Sequence, residues 1–105
     1  MAKTILESGT ASSDGEVYYN HIMLMAKTLG TGETVAIEVA DSKDDFSADA
    51  SWQPSGVELD EETPVRAFFT SKGFGVRVTA SDSTAIVAVD ILNEPAEYRR
   101  ATLGQ

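Results

Sequence analysis

Side chains suited to acid–base and nucleophilic chemistry are few in this chain: it has one histidine, His21, no cysteine, and no glycine-rich phosphate loop. Histidine is the one side chain whose ordinary pKa lies near neutrality, which makes His21 the first candidate for proton transfer. No serine or cysteine stands near it in a nucleophile–base arrangement, so it reads as a structural histidine or one at a subunit contact. Carboxylates are abundant, but a glycosidase needs its pair placed across a sugar cleft larger than so small a domain readily provides. Asp41, Asp44, Asp45 and Asp49 could offer oxygens to calcium. Their loop fails the EF-hand pattern, because Lys43 takes the third position and no glycine takes the sixth. No catalytic, metal or cofactor-binding residue is therefore assigned, and a non-enzymatic protein is expected.

Aromatic side chains give a second set of candidates. Trp52 stands where a polar loop returns to a strand pattern, a place where tryptophan usually caps one end of a core. Phe68 and Phe69 are adjacent in a strand-like run, as are Tyr18 and Tyr19, so one of each pair must point away from the core. Such surplus apolar groups point to a contact with a partner or another copy.

Seventeen acids against eight bases give a net charge of −9, and residues 33–62 alone account for it with ten acids and the single base Lys43. A field of that sign repels a nucleic-acid backbone and an anionic membrane, so neither is expected as a partner. The segment reads as a solvated acidic face that keeps a small β-protein soluble. The start of the chain shows no apolar stretch of signal-peptide length, and apolar runs elsewhere are only a few residues long.

The elements that must carry these groups follow from turn formers recurring every eight to twelve residues, with runs rich in valine, isoleucine, threonine and aromatics between them. Strands are expected over residues 3–8, 16–27, 33–40, 57–59, 64–70, 74–80 and 85–92, with an eighth beside Trp52. In the third run Val35, Ile37 and Val39 face the core. Val76 and Val78 share a face, as do Val87, Val89 and Ile91, and these five are expected in the core as well. The last two runs are joined by Ser81-Asp82-Ser83-Thr84, for which an antiparallel hairpin is the simplest connection. A helical turn is expected near residues 61–64. The fold class is all-β: a single antiparallel β-sandwich spanning residues 1–105, Ig-like or jelly-roll-like, with arms at 1–8 and 93–105.

The segment Gly30-Thr31-Gly32-Glu33-Thr34-Val35-Ala36-Ile37-Glu38-Val39-Ala40-Asp41, a polar loop and then Trp52, resembles small β-sandwich virion proteins of tailed bacteriophages. In those proteins a G-E-T-V-x-I-x-V strand leads through a loop to a tryptophan. The later pieces of the pattern fall on Val57-Glu58-Leu59, Phe74-Gly75-Val76-Arg77-Val78 and Val87-Ala88-Val89-Asp90-Ile91. The likeness covers about residues 28–92, and Ser42 to Asp49 replace the family's shorter Asp-Gly-Gly turn. It implies a capsid decoration (cement) protein on the virion surface, made in the host cytoplasm, that contacts the major capsid protein and copies of itself as a homo-oligomer. The alternative is a carbohydrate- or receptor-binding module of a tail, neck or fibre, with Trp52 together with Tyr18 or Phe74 as a sugar platform. Contact residues expected under the first reading are Ile5, Leu6, Tyr18, Tyr19, Phe69, Tyr98, Arg99 and Arg100. Deleting residues 94–105 is expected to leave the domain folded while lowering its occupancy on purified shells; full occupancy of the truncated protein would remove that role from the C-terminal segment.

Overall fold

A computed structural model describes residues 3–18, 21–68 and 74–92. Eight strands form two four-stranded antiparallel sheets. They are β1 (Lys3–Leu6), β2 (Glu16–Tyr18), β3 (His21–Thr28), β4 (Val35–Ala40), β5 (Gln53–Leu59), β6 (Val65–Phe68), β7 (Phe74–Ala80) and β8 (Ile86–Leu92). The first sheet has the order β1-β8-β3-β6 and the second β2-β7-β4-β5. Strand 1 thus pairs with 8, 2 with 7, 3 with 6 and 4 with 5, and the pairs β3–β8 and β4–β7 close each sheet. This nested order is that of a jelly roll.

The alternation seen in the sequence decides which side chains meet between the sheets. Ile22 and Leu24 of β3, Val35 and Ile37 of β4, Val76 and Val78 of β7, and Val87 and Val89 of β8 form the core with Leu6, Tyr18 and Leu59. Each large apolar side chain fully buried in this way contributes about 1.5–3 kcal/mol. Both open edges of the sandwich are bridged by a basic side chain from the first sheet. At one, Lys3 Nζ on β1 meets Glu16 Oε1 on β2 at 2.8 Å; at the other, Arg66 Nε on β6 donates to the Glu58 carbonyl of β5 at 2.8 Å.

Several expectations are corrected. Residues 16–27 do not form one strand: β2 belongs to the second sheet and β3 to the first. The last two strands are not a hairpin either, since β7 pairs with β2 and β4 while β8 pairs with β1 and β3. Alternation fixes which face of a strand is buried but not which sheet it joins, and the five-residue connection over 81–85 is long enough to cross the roughly 10 Å between packed sheets. No helical turn forms at 61–64. There Asp60 Oδ1 accepts the N–H groups of Glu62 and Thr63, an Asx turn that carries the chain from β5 to β6. Residues 57–59 are the end of the longer strand β5, which bulges where Gly56 takes φ +85°, a conformation costly for any residue with a Cβ. Residues 3–6 are a paired edge strand rather than an arm. Ile91, expected in the core, is 48 % exposed although its cross-strand partner Ile22 is fully buried, and Val39 is half-buried.

Glu33 also departs from expectation. It belongs to the acidic run, yet only 2 % of it is exposed. Its Oε1 accepts the Gly30 N–H at 2.8 Å and the Thr84 hydroxyl at 2.6 Å, tying the β3–β4 crossing to the β7–β8 crossing. The cover is a thin layer of turn residues at one end of the sandwich. Burial there opposes the charge, but the Thr84 hydroxyl and the N–H groups of Gly30, Thr84 and Ala85 outweigh it and hold the carboxyl below its ordinary pKa. Glu33→Gln should therefore lower stability by about 1–2 kcal/mol near neutrality. A carboxyl with a depressed folded pKa stabilises above its unfolded pKa and loses that contribution as pH falls through the folded one. The melting-temperature gap between wild type and variant should consequently close on acidification below about pH 4; a gap constant from neutrality to strong acid would contradict this role.

Candidate docking surfaces

The two outer faces of the sandwich differ in what covers them. On the second sheet, residues 41–52 leave β4 and fold back over the outward side of β7. The chain is turned first by Asp41, whose Oδ1 accepts the Lys43 N–H, and then by Asp45, whose Oδ1 accepts both the N–H and hydroxyl of Ser47. Those two bonds also hold the exposed Asp45 carboxyl below its ordinary pKa. A 3-10 turn, Asp49–Ser51, then delivers Trp52. Its indole N–H donates to the Phe46 carbonyl at 3.1 Å, and the two rings pack with centroids 5.0 Å apart.

Glycine makes this close approach workable. A Cβ at Gly75 would overlap the Phe46 ring, and one at Gly15 would overlap the Trp52 indole. Beside the rings, the Arg77 guanidinium lies 4.9 Å from the centroid of Trp52, with Nε on Glu38 Oε1 at 2.7 Å and an Nη on Asp49 Oδ1 at 3.2 Å. Glu38 Oε1 also accepts the Thr79 hydroxyl at 2.7 Å. Burial works against the Arg77 charge, but the two carboxylates more than compensate and raise its pKa. Trp52 is only 6 % exposed, as a capping residue should be, though it seals an outer sheet face rather than one end of the main core.

The outer face of the first sheet has a different composition. Cross-strand register sets Val65, Met25, Ala88 and Thr4 in one row across β6, β3, β8 and β1, with Ala67, Met23 and Asp90 in the next. The first row carries no charge. Val65 is 46 % exposed, Ala67 and Thr4 are exposed, Met23 and Met25 are half-buried, and Ala88 between Met25 and Thr4 is fully buried. His21 lies on the same strand face as the two methionines.

The expected contact residues are distributed as follows. Leu6 and Tyr18 are core residues, 1 % and 6 % exposed, so neither offers a contact surface. Ile5 is half-buried against the same core. Burial, with the adjacent Glu16 carboxylate, pushes the Tyr18 hydroxyl up to about 12, which leaves it protonated at any physiological pH. Tyr19, Phe69, Tyr98, Arg99 and Arg100 lie outside the described residues. Phe74 is 43 % exposed. Sequence reading missed Phe46, hidden in a loop judged polar, and the row of Val65, Met25 and Ala88, which depends on register. The only local hint of the Phe46 contact was Gly75, placed in a strand where a side chain would ordinarily stand.

Among the described residues no group of three or more His, Asp or Glu side chains is arranged to hold a metal ion. No described helix is long and apolar enough to cross a membrane. No protein-family model, curated protein or solved structure matches the chain significantly.

Because the ring of Phe46 can swing away more cheaply than the sheet can move, Gly75→Ala should detach the loop rather than unfold the domain. The expected cost is about 1–2 kcal/mol, with Trp52 fluorescence shifting to the red as its environment becomes wetter. An unchanged emission spectrum would show that the loop is not held by this contact.

Proposed function

We propose that this protein is a non-enzymatic structural component of a phage virion, a capsid decoration protein that seats the outer face of its β1-β8-β3-β6 sheet on a neighbouring shell subunit or another copy of itself. The observation that carries this reading is the inequality of the two outer faces. The second sheet is sealed by the chain's own loop and ion pairs, whereas the first presents an uncharged row from Val65 to Thr4. A protein with a net charge of −9 that leaves such a row free of charge has a surface suited to a dry contact.

The jelly roll is an architecture of viral capsid domains, and also of lectins, so fold alone does not choose between them. The resemblance over residues 28–92 favours the virion. The tail or fibre alternative expected Trp52 or Tyr18 to stack on a sugar, and both are buried. That leaves Phe74 as its one described platform.

Met25→Glu places a charge in the middle of the uncharged row on a half-buried side chain. On shells stripped of the native protein, the folded variant should bind at least roughly tenfold more weakly, in line with the cost of burying an unpaired charge, and should fail to restore resistance to heating. Wild-type occupancy by a variant with unchanged circular dichroism would refute the docking face. Shells whose heat stability does not respond to the wild-type protein would refute the decoration role itself.

A further inference from the structure

The contact between residues 41–52 and the second sheet shows how this protein holds a guanidinium: one aromatic ring beneath Arg77 and two carboxylates at its edge. The same combination recurs where β4 leaves the sheet. A depression of about 260 Å³ is lined there by Val39, Ala40, Asp41, Asp44, Gln53 and Phe74, among other residues. Among the described residues that line it there is no lysine or arginine. We propose that this depression binds an arginine side chain of a partner protein.

Each part of the lining matches a part of that side chain. Val39 and Ala40 provide an apolar floor for the methylene stem, which gains by leaving water. Phe74, 43 % exposed, offers a ring to a delocalised cation. Asp41 and Asp44 are both exposed, and neither forms an ion pair with a described lysine or arginine. Asp41 uses Oδ1 for the Lys43 N–H, which leaves Oδ2 for a ligand. A planar guanidinium can stack on an aromatic ring while donating to a carboxylate at its edge, whereas the ammonium of lysine is a more strongly hydrated point charge. Residues 33–62, which supply five of the six residues named above, carry the whole net charge of the chain, so the local field draws cations toward the depression. This site is separate from the outer face of the first sheet and does not depend on the virion assignment.

The test is a heteronuclear NMR titration of the full-length protein, at about physiological ionic strength, with an acetylated Gly-Gly-Arg-Gly-Gly peptide. Its lysine and citrulline counterparts and the disaccharide cellobiose are the comparison probes. Shift changes should cluster at Asp41, Asp44, Gln53 and Phe74, and the citrulline peptide, of like shape but uncharged, should bind at least roughly tenfold more weakly. The pair Asp41→Asn and Asp44→Asn, both at exposed positions, should abolish the response with circular dichroism unchanged, and Phe74→Ala should weaken it. Equal response to citrulline, preferential binding of cellobiose at these residues, or shifts spread over the whole acidic surface and persisting in the double variant would each overturn the proposal.

Discussion

Nested antiparallel pairing is the constraint on which the rest of this structure depends. Once strand 1 must meet strand 8, and 2 must meet 7, every connection except that from β4 to β5 has to pass from one sheet to the other. The chain therefore makes short crossings, and the polar backbone at each needs its own partners. At one end the need is met locally: Asp60 turns β5 into β6, and the Thr34 N–H donates to the Ser81 hydroxyl while the Ser81 N–H returns to the Thr34 carbonyl. Glu33 joins two of these crossings with one carboxylate, which explains an acid in a position otherwise suited to an apolar residue.

The exception, β4 to β5, stays within one sheet and is also the longest described connection. Freed from crossing, it folds over the outside of that sheet instead. Phe46 and Trp52 fill the space above Gly75 and Gly15, and Arg77, held by Glu38 of β4, fixes the loop through its ion pair with Asp49 and the Trp52 ring beneath. Glu38 and Arg77 have side chains only 20 % and 15 % exposed, so this pair is screened much less than Lys3–Glu16 at the open edge, at 65 % and 47 %. One face of the molecule is thereby completed by its own chain. Its counterpart is the face that we propose another molecule completes.

How much of this was legible in the sequence follows from what alternation encodes. Val35 and Ile37, Val76 and Val78, and Val87 and Val89 were assigned to the core from period-two patterning, and all of them are buried there. The same patterning could not show that Tyr18 and Ile22 lie in different sheets, because both have a core-facing side and the crossing between them is short. Ile91 follows the pattern faithfully and pairs with the fully buried Ile22, yet it is itself 48 % exposed, which alternation does not reveal. Trp52 was recognisable as a sealing residue by its place after a polar loop, but its partners were not: Phe46 is a lone aromatic among acids and serines, and Arg77 reads as the outward residue of an ordinary strand. The uncharged row on the first sheet was illegible for a different reason. Val65, Met25, Ala88 and Thr4 are far apart in the chain and become neighbours only through register.

These elements combine into an account in which one sheet is closed by residues 41–52 and the other is kept for a neighbour. Methionine makes the distinction measurable, since its thioether is readily oxidised where solvent reaches it. Hydroxyl-radical footprinting of the free protein and of the protein assembled on its shell compares the two faces in one experiment. The account predicts that Met23 and Met25 lose most of their reactivity on assembly while Phe46 and Trp52 react as before. Unchanged oxidation of both methionines, or new protection confined to the Phe46 and Trp52 face, would contradict it.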